Sequence, residues 1–174
     1  MATGSVLLRP GAADLPDGTA SNAAPGFSRF KSSATAPGPY TVRAQFDATT
    51  REQLMWTFRM PADYASAPVV VAQFAMTSAT TGNVILEARI AAITPGDATD
   101  IDTKAFAAAN TSATTAVAAT AGFVKEISIT MTNADSLAAG DQVTLYLARD
   151  AANASDTATG DLELISAALT YTTV

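Results

Sequence analysis

From Tyr40 onward, apolar and polar side chains alternate with a period of two. Tyr40, Val42, Ala44 and Phe46 interleave with Thr41, Arg43, Gln45 and Asp47, the pattern of a strand with one buried face. Leu54, Trp56, Phe58 and Met60 repeat it until Pro61, which cannot donate to a ladder, stops the strand. Further runs at 69–76, 83–93, 111–118, 123–131, 143–147 and 162–171 bring the expected count to eight strands. One stretch breaks the rhythm: after the Pro95-Gly96-Asp97 turn, 102–109 reads as a short helix with Asp102 as its N-cap. Eight short strands with long connections predict an eight-stranded antiparallel jelly-roll sandwich rather than an up-and-down barrel, with the first and last of the eight paired. Val69, Val70, Val71 and Ala72 are apolar on both faces, and so are Ile165, Ala167 and Leu169 set against Leu162 and Leu164. A sandwich sheet needs only one dry face, so a second one calls for cover by another segment or subunit.

Before Tyr40 no period holds. Pro10-Gly11, Pro16-Asp17-Gly18, Pro25-Gly26 and Pro37-Gly38-Pro39 interrupt any regular element. The chain therefore divides into an extended N-terminal arm, 1–39, and a sandwich, 40–174, that should fold without it. The alternative for the arm is a disordered tail. Val6, Leu7, Leu8, Phe27 and Phe30 are its apolar points, and they are the expected partner contacts if the arm orders against a neighbour.

The chain holds no histidine and no cysteine, which removes the commonest general base, the thiol nucleophile and two main transition-metal ligands together. No disulfide is possible, and the compartment stays open on that ground. A net charge of −6, with 10 basic residues spread along 174 positions, argues against a nucleic-acid partner. Apolar runs are too short and too interrupted for a membrane-spanning helix, and the N-terminus lacks the basic start and apolar core of a secretory signal, so synthesis in the cytoplasm is expected.

The remaining candidates for chemistry are acidic. Asp97, Asp100 and Asp102 could offer oxygen ligands to Ca²⁺, but they lack EF-hand spacing, and Asp is also a turn former. Asp150, Asp156 and Asp161 read as a solvated loop series. Glu52, Glu87, Glu126 and Glu163 sit in or beside strands on polar faces, without the paired setting of a glycosidase. Trp56 falls on a buried-looking face, and Arg149 suits a strand-end ion pair with a loop Asp. Asn110-Thr111-Ser112 and Asn153-Ala154-Ser155 match a glycosylation pattern that has no meaning without secretion. No phosphate loop, nucleophile elbow or dinucleotide fingerprint is present, so the expectation is a non-enzyme with no cofactor and no metal site.

Trp56 with Met60-Pro61-Ala62-Asp63-Tyr64, then Thr80-Thr81-Gly82-Asn83-Val84, then 139–145 with Arg149-Asp150, resembles small virion-associated jelly-roll proteins of tailed bacteriophages, many of them head decoration, or cement, proteins. The likeness spans about 53–172 and marks turns and strand ends. It implies a homotrimer on the outer capsid surface, bound to the major capsid protein, with the arm bridging neighbouring capsomers. The rival expectation is a head- or tail-fibre module that recognises a cell-surface glycan, which would show exposed aromatics at loop tips. Tyr64 and Phe106 are the candidates for that role.

Overall fold

The computed structural model describes residues 2–19 and 23–174. Twelve strands are found among them. The first six in chain order are β1 (Thr3–Leu8), β2 (Gly26–Lys31), β3 (Tyr40–Phe46), β4 (Gln53–Arg59), β5 (Tyr64–Met76) and β6 (Asn83–Val84). The others are β7 (Leu86–Ile93), β8 (Asn110–Thr111), β9 (Thr115–Ala116), β10 (Lys125–Thr130), β11 (Gln142–Arg149) and β12 (Leu162–Thr173). One sheet runs β10-β5-β12-β3-β2 with β1 also on β12, the second runs β4-β11-β7-β8, and β6 pairs with β9. The chain is an all-β, antiparallel jelly-roll sandwich, as the period-two pattern predicts.

The core lies between the two sheets because each strand presents its apolar set inward. Val70, Ala72 and Phe74 of β5 and Leu162 and Leu169 of β12 join Leu54 and Trp56 of β4 and Val143, Leu145 and Leu147 of β11 in one buried cluster. Full burial of such side chains contributes about 1.5–3 kcal/mol each. Trp56 is in the core, and its indole N–H donates to the Arg9 carbonyl at 2.9 Å.

β12 is the spine of the larger sheet. β5 lies along one of its edges, while the other is shared: β3 pairs with Leu162–Leu164 and β1 with Ala167–Thr172. The first and last of the eight expected strands do pair. Between the two halves the register with β5 shifts, so that Leu164 faces Phe74 but Ser166 faces Gln73, which leaves Ile165 as an extra residue. This bulge reverses the parity of everything after it. Leu162 and Leu164 before it, and Ala167, Leu169 and Tyr171 after it, are all buried in the same core. The two apolar faces expected for this strand are therefore one face.

Four further expectations change. The segment 1–39 supplies β1 and β2 to the larger sheet, so a boundary at 39/40 would separate β2 from its hydrogen-bonded neighbour β3; positions 1 and 20–22 of it lie outside the described residues. Gly4 shows how closely β1 is seated, since a Cβ there would meet the Tyr171 ring. The helix expected at 102–109 is absent: a turn spans 101–103, and the amide of Ala107 donates to Ile90 on the β7 edge at 2.9 Å. Pairing to the sheet satisfies that backbone and overrides local helical preference. The strand expected over 123–131 begins only at Lys125, and Phe123 before it is exposed. Finally, β3 is only half a core strand: Ala44 and Phe46 are buried, whereas Tyr40 and Val42 are exposed where β3 peels away from β12.

Candidate functional site

Two surfaces have the shape and chemistry to hold a partner. The first is a cleft where β3 leaves β12. The turn Pro10–Ala12 lies in the gap, between Leu7 and Ile165 on one side and Thr41 and Val42 on the other, around a depression of about 660 Å³. A second depression, of about 440 Å³, continues past Pro10, Gly11 and Val42 to Leu15 and Phe27. Leu7 and Leu15 are each 57% exposed, Val42 40% and Phe27 39%. Arg9 and Arg29 stand on its walls.

The five apolar residues of the expected arm thus have different fates. Leu7 and Phe27 line this cleft, while Leu8, 1% exposed, belongs to the core and is withdrawn from partner contact. Val6 is half-buried against the core, opposite Leu169. Phe30 is half-buried with the Arg43 guanidinium over its ring at 4.3 Å. Strand parity explains the split, since neighbours on β1 point to opposite faces. Leu15 and Ile165 were not singled out from the sequence as cleft residues. The first stands alone among polar and Pro residues, and the second becomes a lining residue only through the bulge.

The second surface is the outer face of the four-stranded sheet. Register places its side chains in rows across β4, β11 and β7: Met55, Tyr146 and Arg89, then Thr57, Thr144 and Ala91, then Arg59, Gln142 and Ile93. At one end the Glu87 carboxylate is held by both Arg51 and Arg89, the latter at 2.6 Å, and Arg51 also approaches Asp150 at 3.8 Å. Burial raises the Tyr146 phenol above its usual range against the opposing Arg51 charge. Burial works against the Arg51 charge too, but Tyr146 and Glu87 hold that guanidinium above its ordinary value. Toward the other end the segment after the 101–103 turn arches over the sheet. Phe106 packs on Tyr146 with centroids 5.8 Å apart, and a trough of about 210 Å³ remains beside Met55, Phe106, Gln142 and Thr144.

The acidic residues weighed as sites do structural work. Asp156, expected in a solvated loop, is buried: it binds Arg149 through both carboxylate oxygens, at 2.7 and 3.1 Å, and accepts the Ile85 amide at 3.0 Å. Arg149 is 0% exposed and also donates to the Ala158 and Gly160 carbonyls, so the expected strand-end ion pair is a buried pin for the 150–161 loop. Glu87 and Glu163 lie on outer faces yet are buried, the latter under Arg43 at 2.6 Å. Glu126 is exposed and accepts from Gln73 at 3.3 Å. Half-buried Glu52 accepts the Asp47 amide, and burial keeps its carboxyl above the usual range. Asp97, Asp100 and Asp102 are exposed, and Asp100 accepts the Asp102 amide within its own turn. Of the aromatics expected at loop tips, Tyr64 is buried beside Tyr171, with centroids 5.4 Å apart, and Phe106 is half-buried.

No family model and no curated protein matches the chain. Among solved structures, similarity is found to a carbohydrate-binding module of Cellvibrio mixtus lichenase 5A in complex with cellotriose, at 14% identity and TM-score 0.42, covering 97% of this chain and 98% of that one. The K1 cleaved adhesin domain of Lys-gingipain from Porphyromonas gingivalis aligns at 11% identity and TM-score 0.48 over 99% of both chains. An infectious bursal disease virus structure aligns at 13% identity and TM-score 0.38, over 98% of this chain and 33% of that one. At these identities and TM-scores the likenesses carry nothing about ligand or partner.

Proposed function

We propose that this chain is a non-catalytic attachment protein of a virus particle, a homotrimeric decoration protein that clamps the outer surface of a tailed-phage head. One observation carries the reading: the cleft gathers Leu7, Leu15, Phe27 and Val42, partly exposed apolar side chains from four separate segments, onto one surface. Contiguous exposed apolar surface of this kind is characteristic of a protein contact. Charge defines the occupant. The charged side chains that line the cleft are Arg9 and Arg29, neither of them in an ion pair with a described residue, in a chain of −6. The fitting partner is an acidic, apolar protein surface, here that of the major capsid protein. Many copies, each holding weakly, make release from a lattice slow through multivalency. Non-catalysis follows from the same chemistry, because the buried carboxylates are engaged in structural bonds rather than facing an open pocket.

The test is a double substitution, Leu7→Asp with Phe27→Asp, mixed with undecorated heads and sedimented beside the unaltered protein. Both residues are at the surface, so folding should be kept while occupancy falls more than about tenfold, the equivalent of losing about 1.4 kcal/mol of contact. Unchanged occupancy would remove the cleft from the attachment.

A second reading, recognition of a cell-surface glycan, is favoured by a different observation: the trough on the four-stranded sheet combines a half-buried aromatic ring with polar side chains on its floor.

A further inference from the structure

The trough lies on the sheet opposite the one that bears the cleft, and its floor carries two polar side chains. Gln142 and Thr144 alternate with the core residues Val143 and Leu145, so their side chains lie on the outer face, yet both are half-buried. Neither the Gln142 amide nor the Thr144 hydroxyl makes a hydrogen bond to another described residue. Their polar atoms are open to solvent within the trough and so are available to the hydroxyls of a ligand. At the end of the sheet Glu87 is held by Arg51 and Arg89, and Asp141 accepts from the Thr94 hydroxyl at 2.9 Å. The walls around the two groups are mostly apolar, formed by Met55, Ile101 and Phe106, with Lys104 among them.

Resting on the glycan reading, we propose that this trough is a binding site for one ring of a neutral sugar. Three features select that class. A pyranose has an apolar C–H face, which suits the Phe106 ring and Met55, and a rim of hydroxyls, which suits an amide able both to donate and to accept and a hydroxyl beside it. The trough's volume of about 210 Å³ is below that of pockets for drug-sized ligands, so one ring fits and a longer chain would extend past the rim. The one charged side chain that lines the trough, Lys104, is paired with Asp135 at 2.8 Å, and the Arg51, Glu87 and Arg89 group is paired within itself. Arg59, across from Gln142, has no carboxylate partner among the described residues but is not part of the lining, so no free cation stands on the floor itself.

The experiment is a ¹H–¹⁵N NMR titration of the full chain with the methyl glycosides of glucose, galactose, mannose and N-acetylglucosamine, and with N-acetylneuraminic acid as the charged control. The expected result is saturable shifts of the Gln142 side-chain amide and of backbone signals around Thr144 and Phe106 with at least one neutral glycoside, and none with the acid. Gln142→Ala and Thr144→Val should each weaken that binding about tenfold with the thermal midpoint unchanged, since neither side chain holds the fold together. Saturation by none of the four glycosides, shifts confined to another surface, or affinity unaltered in both variants would overturn the site. The Leu7→Asp, Phe27→Asp protein should bind sugar as the parent does. A lost trough with retained head binding, or the reverse, therefore separates this proposal from the attachment reading.

Discussion

At the scale of single residues, what decides a role is whether a side chain's polar groups are satisfied after burial. Arg149 is the largest fully buried side chain of the fold, and it is tolerated there because Asp156 and two carbonyls take up its donors. Removing one member leaves the other charged and dry. Arg149→Met should lower unfolding free energy by about 3–5 kcal/mol in a urea titration, and adding Asp156→Leu should restore a part of that loss. A loss below about 1 kcal/mol would mean that water reaches Asp156 once Arg149 is gone. Arg149 and the need for an acidic partner were readable from its place at the end of an apolar strand series. That the partner would be Asp156 rather than its neighbour Asp150 was not, because the choice depends on the path of the 150–161 loop.

Among the elements, β12 shows how one residue sets a register. Its apolar positions are odd in one half and even in the other, and the bulge at Ile165 turns both sets inward. Deleting Ile165 removes the extra residue, so plain alternation then carries Leu162, Leu164, Ala167, Leu169 and Tyr171 on one face with the register to β5 unbroken. No core side chain is exposed by that change, and the loss is confined to the cleft that Ile165 lines. The deletion variant should keep a cooperative thermal transition, and Ile165→Ala should cost about 1 kcal/mol. Loss of cooperativity in the deletion would show that the bulge does more for the fold than align the two halves. The helix misread at 102–109 belongs to the same scale. Alanine-rich composition favours a helix there, but the edge of β7 offers the Ala107 amide a carbonyl and Tyr146 offers Phe106 a packing surface.

For the molecule as a whole, the N-terminal segment is part of the sandwich it was expected only to adjoin. Deleting 1–39 would strip β1 from half of β12, expose the site of Leu8 and remove β2, one of the two partners of β3. The truncated chain should lose at least about 3 kcal/mol of stability in urea, since Leu8 alone accounts for about 1.5–3 kcal/mol. An unchanged midpoint would show that 40–174 stands on its own. The class of fold was legible because alternation with a period of two is a local property: each strand carries its buried face in its own residues, and Leu54, Trp56, Val143, Leu145 and Leu147 lie where that alternation puts them. The absence of His and Cys, likewise readable from residues alone, removed the commonest general base and the thiol nucleophile from consideration. Both surfaces with functional character arise where distant segments meet. The cleft needs β3 to part from β12 at a bulge, and the trough needs the 101–106 segment to arch over β11, and neither event leaves a local signature. Only the tertiary structure decided these, because alternation tells a side chain which face of its own strand to take and says nothing about which other segment will cover that face.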